Sequence, residues 1–254
     1  MTVERDDLIE YLLRMGDTAL IQGQRLCEWC GQAPVLEEEL GLMNVGLDLV
    51  GQARHWLDYA ADLIDDGRDA DALAFRRDER EFRNLLLVEQ PNGDFAVTMT
   101  KQFLYDAWYY EVLQGLATST DTRIAGIAAK SLKEVTYHLR RSGEWIERLG
   151  DGTDESHARM EAAVPAVWRF TVEMTHADDV DARLFASGVA PDPHAIANGW
   201  RATIEATFER ATLIAPAPAK PFYLSARKGL HTEHLGRLLA EMQYLQRAYP
   251  DATW

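Results

Sequence analysis

Apolar residues recur along the chain mostly at the three- and four-residue spacing of amphipathic helices. In the clearest segment, from about Asp121 to Leu149, the inward positions follow at intervals of 3, 4, 3, 4 and 3 residues: Leu132, Val135, Leu139, Ser142, Ile146 and Leu149. This spacing forms one narrow stripe, as in helices that pack nearly parallel in a bundle. A second stripe lies between Gly229 and Pro250 and consists of Leu235, Leu238, Leu239, Met242 and Leu245.

The same pattern predicts further helices over Asp6 to Trp29, Val35 to Ile64, Asp71 to Val88, Phe95 to Thr118, Asp154 to Thr175 and Asp192 to Leu213. Pro165 is expected to kink its helix, because proline removes a backbone donor. The one long irregular segment, Ala215 to Lys228, is either a docking loop or a connection. No repeat or composition shift marks a boundary. We therefore expect one all-α domain over residues 1–254, an up-and-down bundle with additional C-terminal helices.

Composition and charge exclude several classes of protein. The 254 residues carry a formal net charge of −15 and include only two cysteines. This acidic field repels a phosphate backbone, so nucleic-acid binding is not expected. No apolar run approaches the roughly 18 residues of a membrane span. The first residues are charged where a secretory leader would be apolar, so we expect a cytoplasmic protein without membrane contact.

An acidic helical chain of this length suggests a test for a carboxylate-bridged di-iron site. Such a site needs a Glu from each of two helices and a Glu-x-x-His pair from each of two more. Only Glu173 with His176 has this spacing, and Asp154 with His157 is an acidic variant. Both are interpreted as exposed pairs near a helix end, because one pair does not make a site.

Glu134 and His138 lie one turn apart at the edge of the clearest stripe. A hydrogen-bonded pair is favoured over metal ligation, since a metal needs ligands from other helices. Those helices offer Asp48, Asp106 and Gln52, and the neutral amide of Gln52 is a poor ligand for iron. The set is incomplete. We expect Asp48, Asp106 or Glu134 to pair with neighbouring cations or with His138, because unpaired buried carboxylates are costly.

Two smaller motifs have both a structural and a functional interpretation. His231, with His234 and Glu241 on nearly the same face, satisfies buried polar groups or, less favourably, ligates a metal. Cys27 and Cys30 form a C-x-x-C sequence without the strand context of a redox pair, which favours two reduced thiols.

Four arginines within eight residues form a local exception to the acidic composition. They are suited to holding an anionic group such as a phosphate through forked guanidinium donors. Alternatively, the interleaved Asp78, Glu79 and Glu81 pair with them along a solvated helix face. The candidate contact segment consists of Arg76, Arg77, Arg80, Glu81, Phe82, Arg83 and Asn84.

Six strings, taken together, resemble the C-subunit family of the bacterial phenylacetyl-CoA epoxidases. They are Gly-Leu-Asp-Leu-Val-Gly-Gln-Ala-Arg at 46–54, Arg-Asp-Glu-Arg at 77–80, Leu-Leu-Leu-Val-Glu-Gln-Pro-Asn-Gly-Asp-Phe-Ala at 85–96, Tyr-His-Leu-Arg at 137–140, Trp-Arg-Phe-Thr at 168–171 and Lys-Gly-Leu-His-Thr-Glu-His-Leu-Gly at 228–236. The resemblance covers nearly the whole chain, and its strings are long and non-repetitive.

The resemblance implies a ferritin-like structural subunit of a multicomponent mono-oxygenase that epoxidises the ring of phenylacetyl-CoA. It places the di-iron centre in a sister A subunit and the electron supply in a separate NADPH-dependent reductase, so no cofactor and no catalytic residue are expected here. The arginine segment would touch the substrate or the A subunit, and Asp181, Ala182 and Arg183 form a weaker second candidate. Two alternatives stay open: an independent di-iron oxidase using Asp48, Asp106, Glu134 and His138, and a module that binds an acyl-CoA alone.

Overall fold

Helices form nearly all of the regular structure in the computed structural model, which describes residues 4–220, 225–250 and 252. In chain order they are α1 (Arg5–Cys27), α2 (Leu36–Ile64), α3 (Ala70–Phe75), α4 (Leu86–Glu89), α5 (Phe95–Leu116), α6 (Thr122–Gly150), α7 (Asp154–Trp168), α8 (Val172–Thr175), α9 (Asp179–Ala186), α10 (Pro193–Arg210), α11 (Glu233–Met242) and α12 (Tyr244–Ala248). In this part of the chain the only strand-like feature is an antiparallel bridge between Ser225 and Leu230. The all-α, ferritin-like class is confirmed.

The described residues form two compact units. One comprises residues 92–220, and the other comprises residues 4–91 together with the described residues from 225 onward. A single domain over residues 1–254 stays a prediction.

In the unit that contains the N-terminal helices, α1 and α2 form an antiparallel hairpin held close by glycines. A Cβ atom at Gly23 would lie 3.0 Å from the carbonyl oxygen of Gly46, and one at Gly16 would lie 2.7 Å from Leu57 Cδ2. Later residues of α1 thus face earlier residues of α2. The missing side chains let the two backbones approach closely along this contact.

In the unit of residues 92–220, α5 packs antiparallel on α6. Phe95 at the start of α5 meets Trp145 near the end of α6 edge-on, with 5.0 Å between ring centroids. From α10, the Trp200 indole nitrogen donates to the Leu104 carbonyl oxygen at 2.9 Å. Most of α5 is buried, including polar side chains such as Lys101, Gln102 and Asp106, so apolar residues are not confined to one face of this helix.

The predicted helix from Asp71 to Val88 is wrong. The structure has the short helices α3 and α4 at its two ends, with one 3₁₀ turn at Glu79–Glu81 and extended backbone between them. The backbone N–H of Arg83 donates to Asp17 Oδ2 at 2.8 Å, and that of Leu85 donates to the Thr18 hydroxyl at 3.1 Å. These bonds to α1 replace the bonds that a continuous helix would need.

Three other helical regions differ from the prediction. The predicted helix ending at Thr175 ends at Trp168 in the structure, three residues after Pro165, and is followed by a 3₁₀ turn and α8. The short helix α9 was missed; Asp178 caps its first turn. The C-terminal stripe is divided between α11 and α12. The other helix ends lie within about three residues of their predicted positions, as is usual for helix boundaries.

The irregular segment predicted from Ala215 to Lys228 includes residues 221–224, which lie outside the described residues. Its described part contains no α-helix and ends in a 3₁₀ turn at Ala226–Lys228. The Trp168 indole nitrogen donates to the Ala217 carbonyl oxygen at 2.8 Å. The first residues of the segment are therefore held against α7.

Gly23→Ala should destabilise the protein by about 1–3 kcal/mol, because the new methyl group would crowd the Gly46 carbonyl and the side chains of Leu49 and Val50. The matched control is Gly51→Ala, an exposed position of α2 where a Cβ meets nothing within 4 Å. The control should be neutral or more stable by up to about 1 kcal/mol, as for alanine replacing glycine in a helix. Urea unfolding measures both. Equal effects of the two substitutions would contradict the close α1–α2 contact.

Candidate functional site

A buried polar group lies between α5 and α6. Asp106 and Ser142 are fully buried, and the Ser142 hydroxyl donates to Asp106 Oδ2 at 2.8 Å. His138, one turn before Ser142, is also fully buried, whereas the sequence pattern placed it at the edge of the stripe. Asp106 therefore has a hydroxyl group as a close hydrogen-bond partner, and the pairing of Asp48, Asp106 or Glu134 with cations or with His138 stays a prediction.

Burial raises the pKa of Asp106 from 3.8 to about 7. The hydrogen bond from Ser142 and the charge of Arg141 act in the opposite direction and are outweighed. Near neutral pH this carboxyl is thus divided between its neutral and ionised forms, because an ionised carboxylate in this interior is poorly solvated.

The other candidate ligands lie on α2 or one turn before His138 on α6. Asp48 and Gln52 belong to α2 in the other unit, and Gln52 is buried. Glu134 is half-buried on α6. Across the residues that the structure describes, no three His, Cys, Asp or Glu side chains gather closely enough to hold a metal ion. A neutral amide and a carboxyl already bonded to a hydroxyl do not fit a di-iron ligand set.

The arginine segment has an internal and an external part. Arg77 is buried and reaches α1, and Arg83 donates to Glu10 Oε2 at 3.1 Å. Arg76 and Arg80 are exposed. Because the segment is not helical, the alternative of ion pairs along one helix face is wrong. Arg77 and Arg83 thus serve the fold, whereas Arg76 and Arg80 are exposed, and Arg76 Nη2 donates to the Pro250 carbonyl oxygen at 3.0 Å.

The internal part is organised by Asp17 on α1, which is fully buried. Its carboxylate accepts two hydrogen bonds from the Arg77 guanidinium, one of them at 3.0 Å to Nη1, as well as the bond from the Arg83 backbone. The same guanidinium stacks on the Phe82 ring, 4.4 Å from its centroid. Removing one partner from such a buried pair typically costs about 3–5 kcal/mol. Arg77, Phe82 and Arg83 therefore have structural roles whatever else they do.

The external part borders two cavities. Arg80 lines a cavity of about 240 Å³ together with Glu79 and residues 229–231. Arg76 lines an open cleft of about 870 Å³ that also includes Arg68, Phe75 and Tyr249. A guanidinium beside aromatic side chains suits an anionic ligand that also carries a ring.

The second candidate segment lies on α9 in the unit of residues 92–220. Asp181 Oδ2 accepts from the backbone N–H of Asp178 at 3.0 Å, so this carboxylate completes the helix cap. Ala182 and Arg183 are exposed.

A buried network around Glu89 is not predicted by the sequence pattern. This carboxylate accepts from the Asn84 amide at 2.9 Å, from the Thr232 backbone and hydroxyl at 2.7 Å each, and lies 2.8 Å from His231 Nδ1. Nε2 of His231 contacts the Phe82 carbonyl oxygen at 3.0 Å, as the structural interpretation of this histidine required. The one sequence feature that could have indicated this network is the position of Glu89 directly after the apolar run at residues 85–88. The network ties the C-terminal segment to α4.

The remaining motifs have ordinary environments. Cys27 and Cys30 are free thiols, and burial raises the pKa of Cys27. His157 Nδ1 lies 2.6 Å from the Gly150 carbonyl oxygen. Glu173 is buried, although we expected an exposed pair with His176.

The comparisons with known proteins agree over the full length. The family model described as "Phenylacetic acid catabolic protein" matches residues 1–254. The chain belongs to the phenylacetic acid catabolic protein family. It is 51% identical over 249 residues to the C subunit of the 1,2-phenylacetyl-CoA epoxidase of Escherichia coli (strain K12), a match that covers 98% of this chain and 100% of that protein. Among its described helices, none is both long and apolar enough to cross a membrane.

Asp106→Asn should remove a pH dependence of stability. The native wild-type protein keeps a proton on Asp106 that the unfolded chain releases near pH 4. The free energy of unfolding therefore falls between about pH 4 and pH 7, by at most about 4 kcal/mol, and the loss is complete above pH 7. Urea unfolding at pH 5, 6, 7 and 8 should give a flatter profile for the variant. The control, exposed Asp71→Asn, should keep the wild-type slope; parallel profiles for all three proteins would refute the buried carboxyl as its source.

Proposed function

We propose that this chain is the C subunit of a 1,2-phenylacetyl-CoA epoxidase, a structural subunit that supports a catalytic A subunit in phenylacetate catabolism. The observation that carries the proposal is the 51% identity to the E. coli protein, which extends over essentially both chains. An identity at this level and coverage leaves no room for a different architecture in either protein. The partners are then the A subunit, the other subunits of the complex and its reductase, and the compartment is the cytoplasm.

We place the di-iron centre in the A subunit. The donor set of this chain supports that division, because α2 offers the neutral amide of Gln52, a poor ligand for iron, and Asp106 is bonded to Ser142. When bound in the A subunit, the iron pair would supply oxygen activation. The residues of this chain hold helices in place, pair buried carboxylates such as those of Asp17 and Glu89 with donors, and present charged side chains at the surface.

We also propose that Arg76 and Arg80 contact the acyl-CoA substrate. Both are exposed, both line cavities, and coenzyme A carries phosphate groups that a forked guanidinium binds well. Arg77 and Arg83 stay bonded to α1, and their role is to hold this stretch of backbone in place. The segment of Asp181, Ala182 and Arg183 remains a weaker proposal, since its aspartate caps α9.

Co-expression of the tagged chain with the A subunit tests the main proposal. The two chains should elute together in size-exclusion chromatography, and after separation the iron should be found with the A subunit. Stoichiometric iron in this chain alone would overturn the assignment and favour an independent di-iron oxidase. In that event Glu134→Ala should abolish both bound iron and oxygen consumption.

The double substitution Arg76→Ala/Arg80→Ala should weaken phenylacetyl-CoA binding to the assembled complex at least tenfold, since charge-assisted hydrogen bonds contribute about 1.5–3 kcal/mol each. The melting temperature should change little, because both side chains are exposed and the one tertiary hydrogen bond lost, from Arg76 to the Pro250 carbonyl, lies at the surface. Arg159→Ala, at an arginine that pairs with Glu155 on α7, serves as the control for lost charge. Isothermal titration calorimetry compares the three proteins. Equal affinities of the wild type and the double variant would contradict substrate contact. An equal loss of affinity in Arg159→Ala would show that the effect comes from net charge rather than from contact.

A further inference from the structure

An apolar stripe on α2 faces solvent instead of the core. Leu36, Leu40, Leu47 and Val50 are 65%, 51%, 63% and 41% exposed, and Met43 between them is half-buried. These five residues, here called the α2 seam, follow at intervals of 4, 3, 4 and 3. Their helix already buries a different face, which includes Leu42, Val45 and Leu49. The seam is therefore additional to what the fold of the chain needs.

The spacing of the seam defines the kind of partner it fits. Alternating intervals of three and four keep apolar side chains in one narrow line, which suits a second helix packed nearly parallel or antiparallel. The seam spans residues 36–50, or about 20 Å of helix. A contiguous exposed apolar line of this length on an acidic protein is typical of a protein–protein contact.

Gly51, at the end of the seam, leaves room for a partner to approach closely. It is exposed in the middle of α2, and a Cβ atom there would meet nothing within 4 Å. Glycine weakens a helix interior, and no neighbour within the described chain requires one here. On the other face of the same helix, Gly46 sits where a Cβ would lie 2.9 Å from Cys27 Sγ, so glycine there permits close contact with α1. Gly51 likewise lacks a side chain, but no helix of the described chain packs against it.

The charges along α2 distinguish between a second copy and a different chain. The helix carries six carboxylates, Glu37, Glu38, Glu39, Asp48, Asp58 and Asp62, and a single arginine, Arg54. Two copies packed seam to seam would bring two acidic helices together in a protein of net charge −15. Like charges across an interface cost affinity, whereas basic flanks on a partner would favour it.

We propose that the α2 seam is the surface on which a helix of the A subunit docks, a helix with an apolar stripe flanked by lysine or arginine. This inference rests on the proposed function, which supplies the A subunit as partner. Leucine and valine side chains of the seam fill the central contact, Gly51 lets the partner backbone approach, and the carboxylates of α2 lie at the rim.

The test uses two seam variants of the full chain and a matched control. The variants are Leu40→Glu/Leu47→Glu, which puts charge in the seam, and Gly51→Leu, which blocks close approach. The control is Gly126→Leu, at an exposed glycine of α6 where a Cβ also meets nothing within 4 Å. Affinity for the purified A subunit is measured by calorimetry, and folding by thermal melting.

Both seam variants should lose at least about 30-fold in affinity, as expected for central positions of an interface, and the control should change less than about twofold. All three should melt close to wild type, because the substituted positions are exposed. If the wild-type chain binds the A subunit and the seam variants bind equally well, the seam inference is overturned and the proposed function stands. If the wild-type chain does not bind, the proposed function itself fails. A wild-type chain that dimerises alone while the seam variants stay monomeric would assign the seam to a second copy and overturn the A-subunit assignment.

Discussion

The buried carboxylate of Asp17 is the interaction on which the arrangement around α1 depends. An ionised group with no solvent contact must be surrounded by donors, and here the donors are the Arg77 guanidinium and the backbone of Arg83. Both donors come from the stretch between α3 and α4, which is therefore held in extended and 3₁₀ conformations. The same constraint separates the arginines, because those that bond to α1 are internal and Arg76 and Arg80 are left at the surface.

The three fully buried acids among the described residues are stabilised in three ways. Asp17 is paired with a guanidinium, Glu89 receives hydrogen bonds from an amide, a hydroxyl and a backbone group beside His231, and Asp106 has a hydroxyl. Of these three, Asp106 shows a pKa raised to about 7, since its donors do not compensate for its burial. The carboxylates of this family member thus hold helices and segments together through the donors around each one.

α2 has two faces with different uses. One packs against α1 through glycines, and the other presents the α2 seam to solvent. A chain that folds with an apolar line outside its core is typical of a component of a larger assembly, because a monomer gains nothing from exposing it. The exposed arginines and the exposed seam both belong to the unit that contains α1 and α2, whereas the buried Asp106 belongs to the other.

The sequence by itself determined the helical class, most helix positions and the family, because periodicity over 20 or more residues and long distinctive strings are both local properties. It also indicated that the di-iron ligand set was incomplete, from the absence of a second Glu-x-x-His. Only the tertiary structure decided which charges are internal. The pattern from Asp71 to Val88 is typical of a helix. In the structure, the Arg77 guanidinium and the Arg83 backbone N–H instead donate to Asp17, some sixty residues earlier. His138 and Glu89 likewise became buried through contacts between helices, whose energies depend on neighbours that no local window contains.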